Sequence, residues 1–164
     1  SSSHIRRCLR RTARRHSAPN YGCNRIVEPK MSFHSHMPVL FRHCDPAGII
    51  FYPRYFEILN DVVESFFAEV ANYPFSEIHP ENGVPTADLQ AQFQAPSWHG
   101  EMLEIIFSLS RLGGSSATTR FVVSCQGKPR MTAQSVLVHV GSNRKSTPWP
   151  SHVRFALESL LEES

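Results

Sequence analysis

One helical pattern limits what this chain can fold into. In "PRYFEILNDVVESFFAEVA", residues 53–71, apolar side chains recur at spacings of three and four. The stripe consists of Phe56, Leu59, Val63, Phe66 and Val70, and it is widened by Val62 and Phe67. Pro53 suits the first helical turn, where no intrahelical bond needs its missing N–H. The pattern predicts a long helix with a broad apolar side that another element must cover.

Four segments with the character of β-strands follow this helix. They are "VPTADLQAQF", "MLEIIFSLSRL", "SATTRFVVSC" and "MTAQSVLVHV", and Gly113–Gly114 and Gln126–Gly127 mark the turns between the later ones. "MPVLFRH", residues 37–43, predicts a further strand before the helix, and "SHVRFALESLLEE" predicts a short amphipathic helix at the end. One long helix against an antiparallel sheet predicts an α+β fold.

Charge divides the chain into two parts. Residues 1–30 hold seven Arg and one Lys against one acidic residue, a net charge of +7, and residues 31–164 hold nine basic and thirteen acidic residues, a net charge of −4. We therefore expect a single domain at 31–164 after a basic arm at 1–30. A polyanion-binding segment, a targeting peptide and a non-native extension all fit the arm. We favour a disordered or non-native extension and expect no nucleic-acid partner, because Tyr21 is the arm's only aromatic residue.

Apolar runs and cysteine spacing indicate the cellular compartment. No apolar run reaches the roughly eighteen residues typical of a membrane span, so we expect no membrane partner. The four cysteines are Cys8, Cys23, Cys44 and Cys125. Their wide spacing contains no C-x-x-C pair, which favours free thiols in a reducing, cytoplasmic compartment.

Histidine pairs do not indicate a metal site. His34 and His36 lie two residues apart, which places both on one face of an extended chain, but no third ligand is near them in the sequence. His99 and His139 are interpreted as a loop and a strand histidine. We therefore predict no metal and no cofactor.

Asp45 is the candidate for chemistry. The residue before a proline avoids the α region, so Asp45 is extended or in a turn just before the helix. A turn-forming or capping role is one interpretation. The other is a carboxylate beside unpaired N–H groups at a helix start, an arrangement suited to acyl transfer. His43 and Cys44 point to opposite faces of an extended chain, so Cys44 is predicted to be a core cysteine rather than a nucleophile.

The motif around Asp45 resembles a known signature. "CDPAGIIFYPRYFE" is similar to the motif of the 4-hydroxybenzoyl-CoA thioesterase family of hotdog-fold proteins. The resemblance extends over residues 37–145 and includes "GVPTAD" and "SRLGGSSATTRF", the latter similar to the family's CoA-contacting turn. It implies a central helix wrapped by five or six antiparallel strands. It also implies edge-to-edge homodimers, often paired into homotetramers, with active sites at the subunit interface.

The resemblance also implies residue roles. Asp45 matches the catalytic aspartate, acting as nucleophile or as general base for water. Tyr52 matches the residue whose backbone N–H polarises the thioester carbonyl, and Gly48 would admit that carbonyl close to the backbone.

Three departures weaken the case for a 4-hydroxybenzoyl substrate. Asn60 stands where that specialised family has an aspartate, and Val84 stands where it has a threonine. Gly113, Gly114 and Ser115 replace a basic run that contacts CoA, and Arg111 or Arg120 is a candidate to replace its phosphate contacts.

Hydrolysis of an acyl-CoA with an aromatic or medium-sized acyl group is the leading prediction. Asp45 is predicted to be catalytic, and Tyr52, Gly48, Asn60, Val84 and Ser115 are predicted to bind substrate. A hotdog module that binds acyl-CoA or an acyl carrier protein without turnover is the alternative. A dehydratase is a third possibility, but the histidine that hydratases of this fold carry five residues after the aspartate is here Ile50.

Overall fold

The computed structural model describes residues 32–162 as one long helix packed against a five-stranded sheet. The basic arm predicted at 1–30 lies outside the described residues. In chain order the elements are β1 (Phe33–Pro38), a 3-10 turn (Phe41–His43), α1 (Tyr52–Glu69), α2 (Phe75–Ile78), β2 (Thr86–Phe93), β3 (Met102–Leu112), β4 (Ser116–Cys125), β5 (Lys128–Val138) and α3 (Ser151–Ser159). The α+β prediction is confirmed, with five strands.

The sheet is antiparallel throughout, in the order β1-β3-β4-β5-β2. The β3–β4 and β4–β5 hairpins turn where the glycine-containing pairs predicted turns, at 113–115 and 126–127. β2 reaches the far edge through a crossover, and it pairs only with β5. One edge of β2 therefore has no strand partner within residues 32–162.

Apolar side chains of α1 and of alternate strand positions form the core. Phe66 of α1, Phe107 of β3 and Phe121 of β4 are fully buried and contact one another in that order, with ring centroids 5.4 and 5.1 Å apart. On β3 to β5, inward residues alternate with outward ones because side chains of a strand point to opposite faces. Burial of these large side chains holds α1 along the sheet.

Two details of the helix stripe differ from the prediction. Val70 is 45% exposed, and Phe56 is half-buried, whereas Tyr55 and Ile58 are buried. The buried side of α1 includes Tyr55 and Ile58 because Tyr55 also packs against the segment before β3. Phe56 is left on the side of the helix that the chain's own sheet does not cover.

The strand predicted at 37–43 is wrong in position. β1 lies earlier, at Phe33–Pro38, and Phe41–His43 forms one turn of 3-10 helix. The chain must turn here to enter the loop that carries Asp45. The turn is closed by the N–H of His43 donating to the carbonyl of Leu40 at 2.9 Å. A β propensity at 40–43 is thus overridden by a local reversal.

Candidate active site

A narrow loop positions Asp45 next to the start of α1. At its base the carbonyl of His43 accepts the N–H of Phe51 at 2.9 Å, and Cys44 bridges Ile50 in antiparallel fashion. Nearer the tip the N–H of Asp45 donates to the carbonyl of Ile49 at 2.9 Å. The chain therefore runs out and back as a closed hairpin whose last residue directly precedes Tyr52.

The tip of this loop orients the carboxylate of Asp45. The backbone carbonyl of Asp45 accepts the N–H of Gly48 at 2.9 Å. The side-chain Oδ1 of Asp45 accepts the N–H of Ala47 at 2.8 Å, which makes an Asx turn. Gly48 has φ +79°, a left-handed conformation that side chains resist, while a Cβ added there would touch nothing within 4 Å. Position 48 therefore favours glycine because of its backbone conformation, and not because a side chain would lack room.

The first residue of α1 offers an open backbone donor. Phe51 uses its N–H on His43, and Pro53 has none to offer. Within residues 32–162 the N–H of Tyr52 has no hydrogen-bond acceptor. It lies at the positive end of an 18-residue helix, where partial negative charge is stabilised.

Asp45 lines a cleft of about 450 Å³. The cleft is lined by Phe41, Cys44, Asp45, Pro46, Gly48 and His99. Cys44 is half-buried and packs against the core, which agrees in part with the predicted core cysteine, and it also lines this cleft. His99 belongs to a loop, as interpreted from sequence, but sequence reasoning missed that it lies near Asp45. Its N–H donates to the carbonyl of Gly48 at 3.0 Å, a contact no local pattern reveals.

Asn60 and Val84 meet in a second cleft, of about 710 Å³. Asn60 is exposed on α1, and Val84 follows the Gly83–Val140 bridge. Phe75, Pro85 and Val140 add apolar surface, and His79 and Arg144 add polar groups without any carboxylate on the lining. Asn60 also lines a neighbouring cleft with Arg42 and Phe56, so these openings follow the uncovered side of α1.

Ser115 lies far from Asp45 within the chain. The Asp45 loop sits at the start of β3, because Ile50 N–H donates to the carbonyl of Ser97 at 2.9 Å. Ser115 follows the end of β3, and its carbonyl accepts the N–H of His139 at 2.8 Å. Eleven residues of strand span about 35 Å, so one chain does not bring Ser115 to its own Asp45.

The candidate phosphate-binding arginine Arg120 and the histidines of β1 lie on the surface. Arg120 lies on the exposed face of the sheet, 3.5 Å from Glu162, and His34 and His36 are exposed on β1. No group of three or more His, Cys, Asp or Glu side chains within residues 32–162 is arranged to hold a metal ion. No helix in that part of the chain is long and apolar enough to cross a membrane.

Comparison with known proteins assigns the family. The family model of the thioesterase-like superfamily matches residues 39–157. The chain belongs to the thioesterase-like superfamily. A comparison with curated protein sequences gives no match.

Solved structures share the fold of this superfamily member. A gentisyl-coenzyme A thioesterase is 28% identical, with a TM-score of 0.70 and coverage of 76% of this chain and 99% of its own. A 1,4-dihydroxy-2-naphthoyl-CoA thioesterase from Synechocystis is 18% identical, with a TM-score of 0.72 and coverage of 79% and 98%. The dynemicin thioesterase is 18% identical, with a TM-score of 0.74 and coverage of 82% and 100%. The predicted hotdog fold and the predicted thioesterase class of enzyme are confirmed.

Proposed function

We propose that this thioesterase-like protein hydrolyses acyl-CoA thioesters to the free acid and CoA, with Asp45 as its catalytic carboxylate. The observation that carries the proposal is the closed hairpin at 43–51. It fixes a carboxylate by an Asx turn at 2.8 Å and delivers the chain directly into a helix whose first N–H is open. A carboxylate and an oxyanion donor on one rigid loop are the minimum equipment for acyl transfer.

The reaction proceeds through a tetrahedral intermediate. Asp45 takes a proton from water as the water oxygen attacks the thioester carbonyl, or its own oxygen attacks to form a mixed anhydride that water then cleaves. In both routes the carbonyl oxygen gains negative charge, which the N–H of Tyr52 stabilises. The C–S bond then breaks and the CoA thiolate leaves with the electron pair. A thiol has a pKa of about 8.5, so its thiolate leaves without a general acid.

Gly48 supports this geometry by leaving the turn open. With no side chain at position 48 and nothing within 4 Å of where its Cβ would lie, the flat thioester group can lie against the backbone between the Asp45 turn and Tyr52. The acyl group then extends along the uncovered side of α1, past Phe56 toward Asn60. The width and mixed lining of those clefts suit an aromatic or medium-sized acyl group.

A homodimer completes the proposed site. β2 has an open edge, and Leu89 and Phe93 on it are 39% and 48% exposed, so the strand needs a cover. Two chains that pair through β2 around a twofold axis run in opposite directions. The Asp45 end of one then meets the Val84 and Ser115 end of its partner. Substrate bound at Asp45 would thus contact Asn60, Val84 and Ser115 from two chains.

Substitution of Asp45 by Asn tests this function. Asn keeps an oxygen that accepts the N–H of Ala47, so the turn survives while the base and nucleophile are lost. Release of thiol from a panel of acyl-CoA substrates should fall by about 10²–10⁴-fold, with CoA binding retained. Glu158→Gln, which removes one charge from an exposed position of α3, is the matched control. A wild-type chain that binds acyl-CoA and releases no thiol would establish the non-catalytic module instead.

A further inference from the structure

The segment between β2 and β3, residues 94–101, is tied to the rest of the domain more closely than a connecting loop requires. At its start the N–H groups of Gln94 and Ala95 donate to the carbonyl of Arg130 at 2.9 and 3.3 Å. In its middle, Oγ of Ser97 accepts the hydroxyl of Tyr55 at 2.6 Å, and both side chains are buried. We refer to residues 94–101 as the 94–101 connection.

A charged pair anchors the end of the connection. Arg130 donates from one terminal nitrogen to Oε1 of Glu101 at 2.7 Å, and the two side chains are only 12% and 23% exposed. Oε2 of the same carboxylate accepts the N–H of Trp98 at 3.0 Å. The Nε of Arg130 is buried without a partner within residues 32–162. A largely buried ion pair with one unpaired nitrogen contributes little to the stability of a fold. We therefore explain the Arg130–Glu101 pair by a role in positioning.

The connection in turn holds the loop that carries Asp45. The carbonyl of Ser97 accepts the N–H of Ile50 at 2.9 Å, and the N–H of His99 donates to the carbonyl of Gly48 at 3.0 Å. Ile49 and Trp98 are paired between these two bonds. The returning strand of the Asp45 hairpin, 48–51, is therefore paired on both sides, with 43–45 on one and 97–99 on the other.

We propose that Ser97 and Glu101, supported by Tyr55 and Arg130, are positioning residues that hold the Asp45 turn in register with the start of α1. None of the four lines the cleft at Asp45, so they act through the backbone at Gly48 and Ile50. The inference rests on the catalytic role proposed for Asp45. It adds that the precision of that carboxylate comes from the 94–101 connection.

Two double variants separate positioning from stability. Tyr55→Phe with Ser97→Ala removes both hydroxyls of the pair, so neither is left buried without a partner. Thr119→Val with Ser135→Ala removes the same kind of pair, buried and also 2.6 Å long, from β4 and β5, where it does not touch the connection. Equilibrium unfolding of both variants verifies that they fold.

The kinetic expectation differs between the two variants. The Tyr55/Ser97 variant should lose about 10- to 100-fold in kcat with KM unchanged, because a misplaced carboxylate slows chemistry without altering the acyl clefts. The Thr119/Ser135 variant should retain wild-type kcat. Glu101→Ala should lower kcat as well, and Glu101→Gln should restore part of it, since an amide oxygen still accepts the N–H of Trp98. Equal kcat values for the two double variants would overturn the proposal.

Hydrogen exchange provides a readout independent of activity. The amides of Ile50 and His99 should exchange at least tenfold faster in the Tyr55/Ser97 variant and at the wild-type rate in the Thr119/Ser135 variant. Unchanged exchange at Ile50 in the first variant would show that the connection does not hold the turn, even in an active enzyme. Absence of thiol release from the wild type would instead contradict the proposed function, while exchange still reports whether the turn is held.

Discussion

The carbonyl of His43 accepts the N–H of Phe51 across the base of the Asp45 hairpin, at 2.9 Å. The imidazole of His43 is buried, and its Nδ1 accepts the N–H of Leu40 at 3.0 Å. Burial lowers the pKa of His43 below 6.5, and the neighbouring guanidinium of Arg42 lowers it further. A proton on Nδ1 would also turn the acceptor of Leu40 into a donor, so the neutral ring belongs to the folded state.

The first prediction concerns acid stability. Because the folded pKa of His43 is depressed, the unfolded chain binds its proton more readily, and stability rises with pH. The contribution of His43 is fully present above pH 6.5 and is lost as pH falls through the lower folded pKa. His43→Gln should flatten this part of the curve of unfolding free energy against pH, measured by urea titration. His36→Gln, at an exposed position of β1, should leave the curve unchanged, and a slope shared by both variants would contradict the assignment.

The second prediction concerns the acyl cleft. Asn60→Asp places a carboxylate on the lining that holds Val84. A ring hydroxyl that donates to a carboxylate gains about 1–2 kcal/mol over one that donates to an amide, or roughly 5- to 30-fold in kcat/KM. The ratio of kcat/KM for hydroxybenzoyl-CoA to that for benzoyl-CoA should therefore rise. Asn72→Asp, exposed beyond α1, is the control, and an unchanged ratio in Asn60→Asp would place residue 60 outside the acyl site.

The third prediction concerns the proposed dimer. Leu89 projects from the same face of β2 as its buried neighbour Ser135 on β5, yet it remains 39% exposed. Leu89→Glu should put two carboxylates into the interface and shift the protein to monomer in analytical ultracentrifugation. Gln134→Glu, on the outer face of β5, should leave the assembly intact. Thiol release should fall with the loss of the dimer, and a fully active Leu89→Glu monomer would show that one chain holds a complete site.

The fourth prediction concerns a buried hydrogen bond next to Val140, which lines the Val84 cleft. The buried ring of His139 donates from Nδ1 to the carbonyl of Thr147 at 2.9 Å and accepts the hydroxyl of Tyr73 at Nε2, at 3.0 Å. Tyr73→Phe leaves that nitrogen without a donor and should reduce the unfolding free energy by about 1–3 kcal/mol. Tyr52→Phe, which removes an exposed hydroxyl without a hydrogen bond within residues 32–162, should cost almost nothing in the same denaturation assay. Equal losses would contradict the hydrogen bond.

Sequence patterns predicted the elements because their causes are local. The spacing of apolar residues around Phe66 predicted a helix at 53–71, and α1 occupies Tyr52–Glu69. The segment "SATTRFVVSC" is β4 residue for residue, since alternation and β-branched side chains suit a half-buried strand. The motif around Asp45 likewise indicated the fold family, because Pro46 and Pro53 restrict the backbone and Gly48 permits a left-handed turn within a few residues.

Only the tertiary structure decided which distant residues meet. Tyr55 and Ser97 are 42 residues apart, and their hydrogen bond exists because α1 and the 94–101 connection pack together. Packing also brought His99 to Asp45 and Asn60 to Val84, and it separated Ser115 from Asp45 by the length of β3. Periodicity describes which face of an element is apolar. The partner of that face depends on how the whole chain buries its surface, which no local pattern contains.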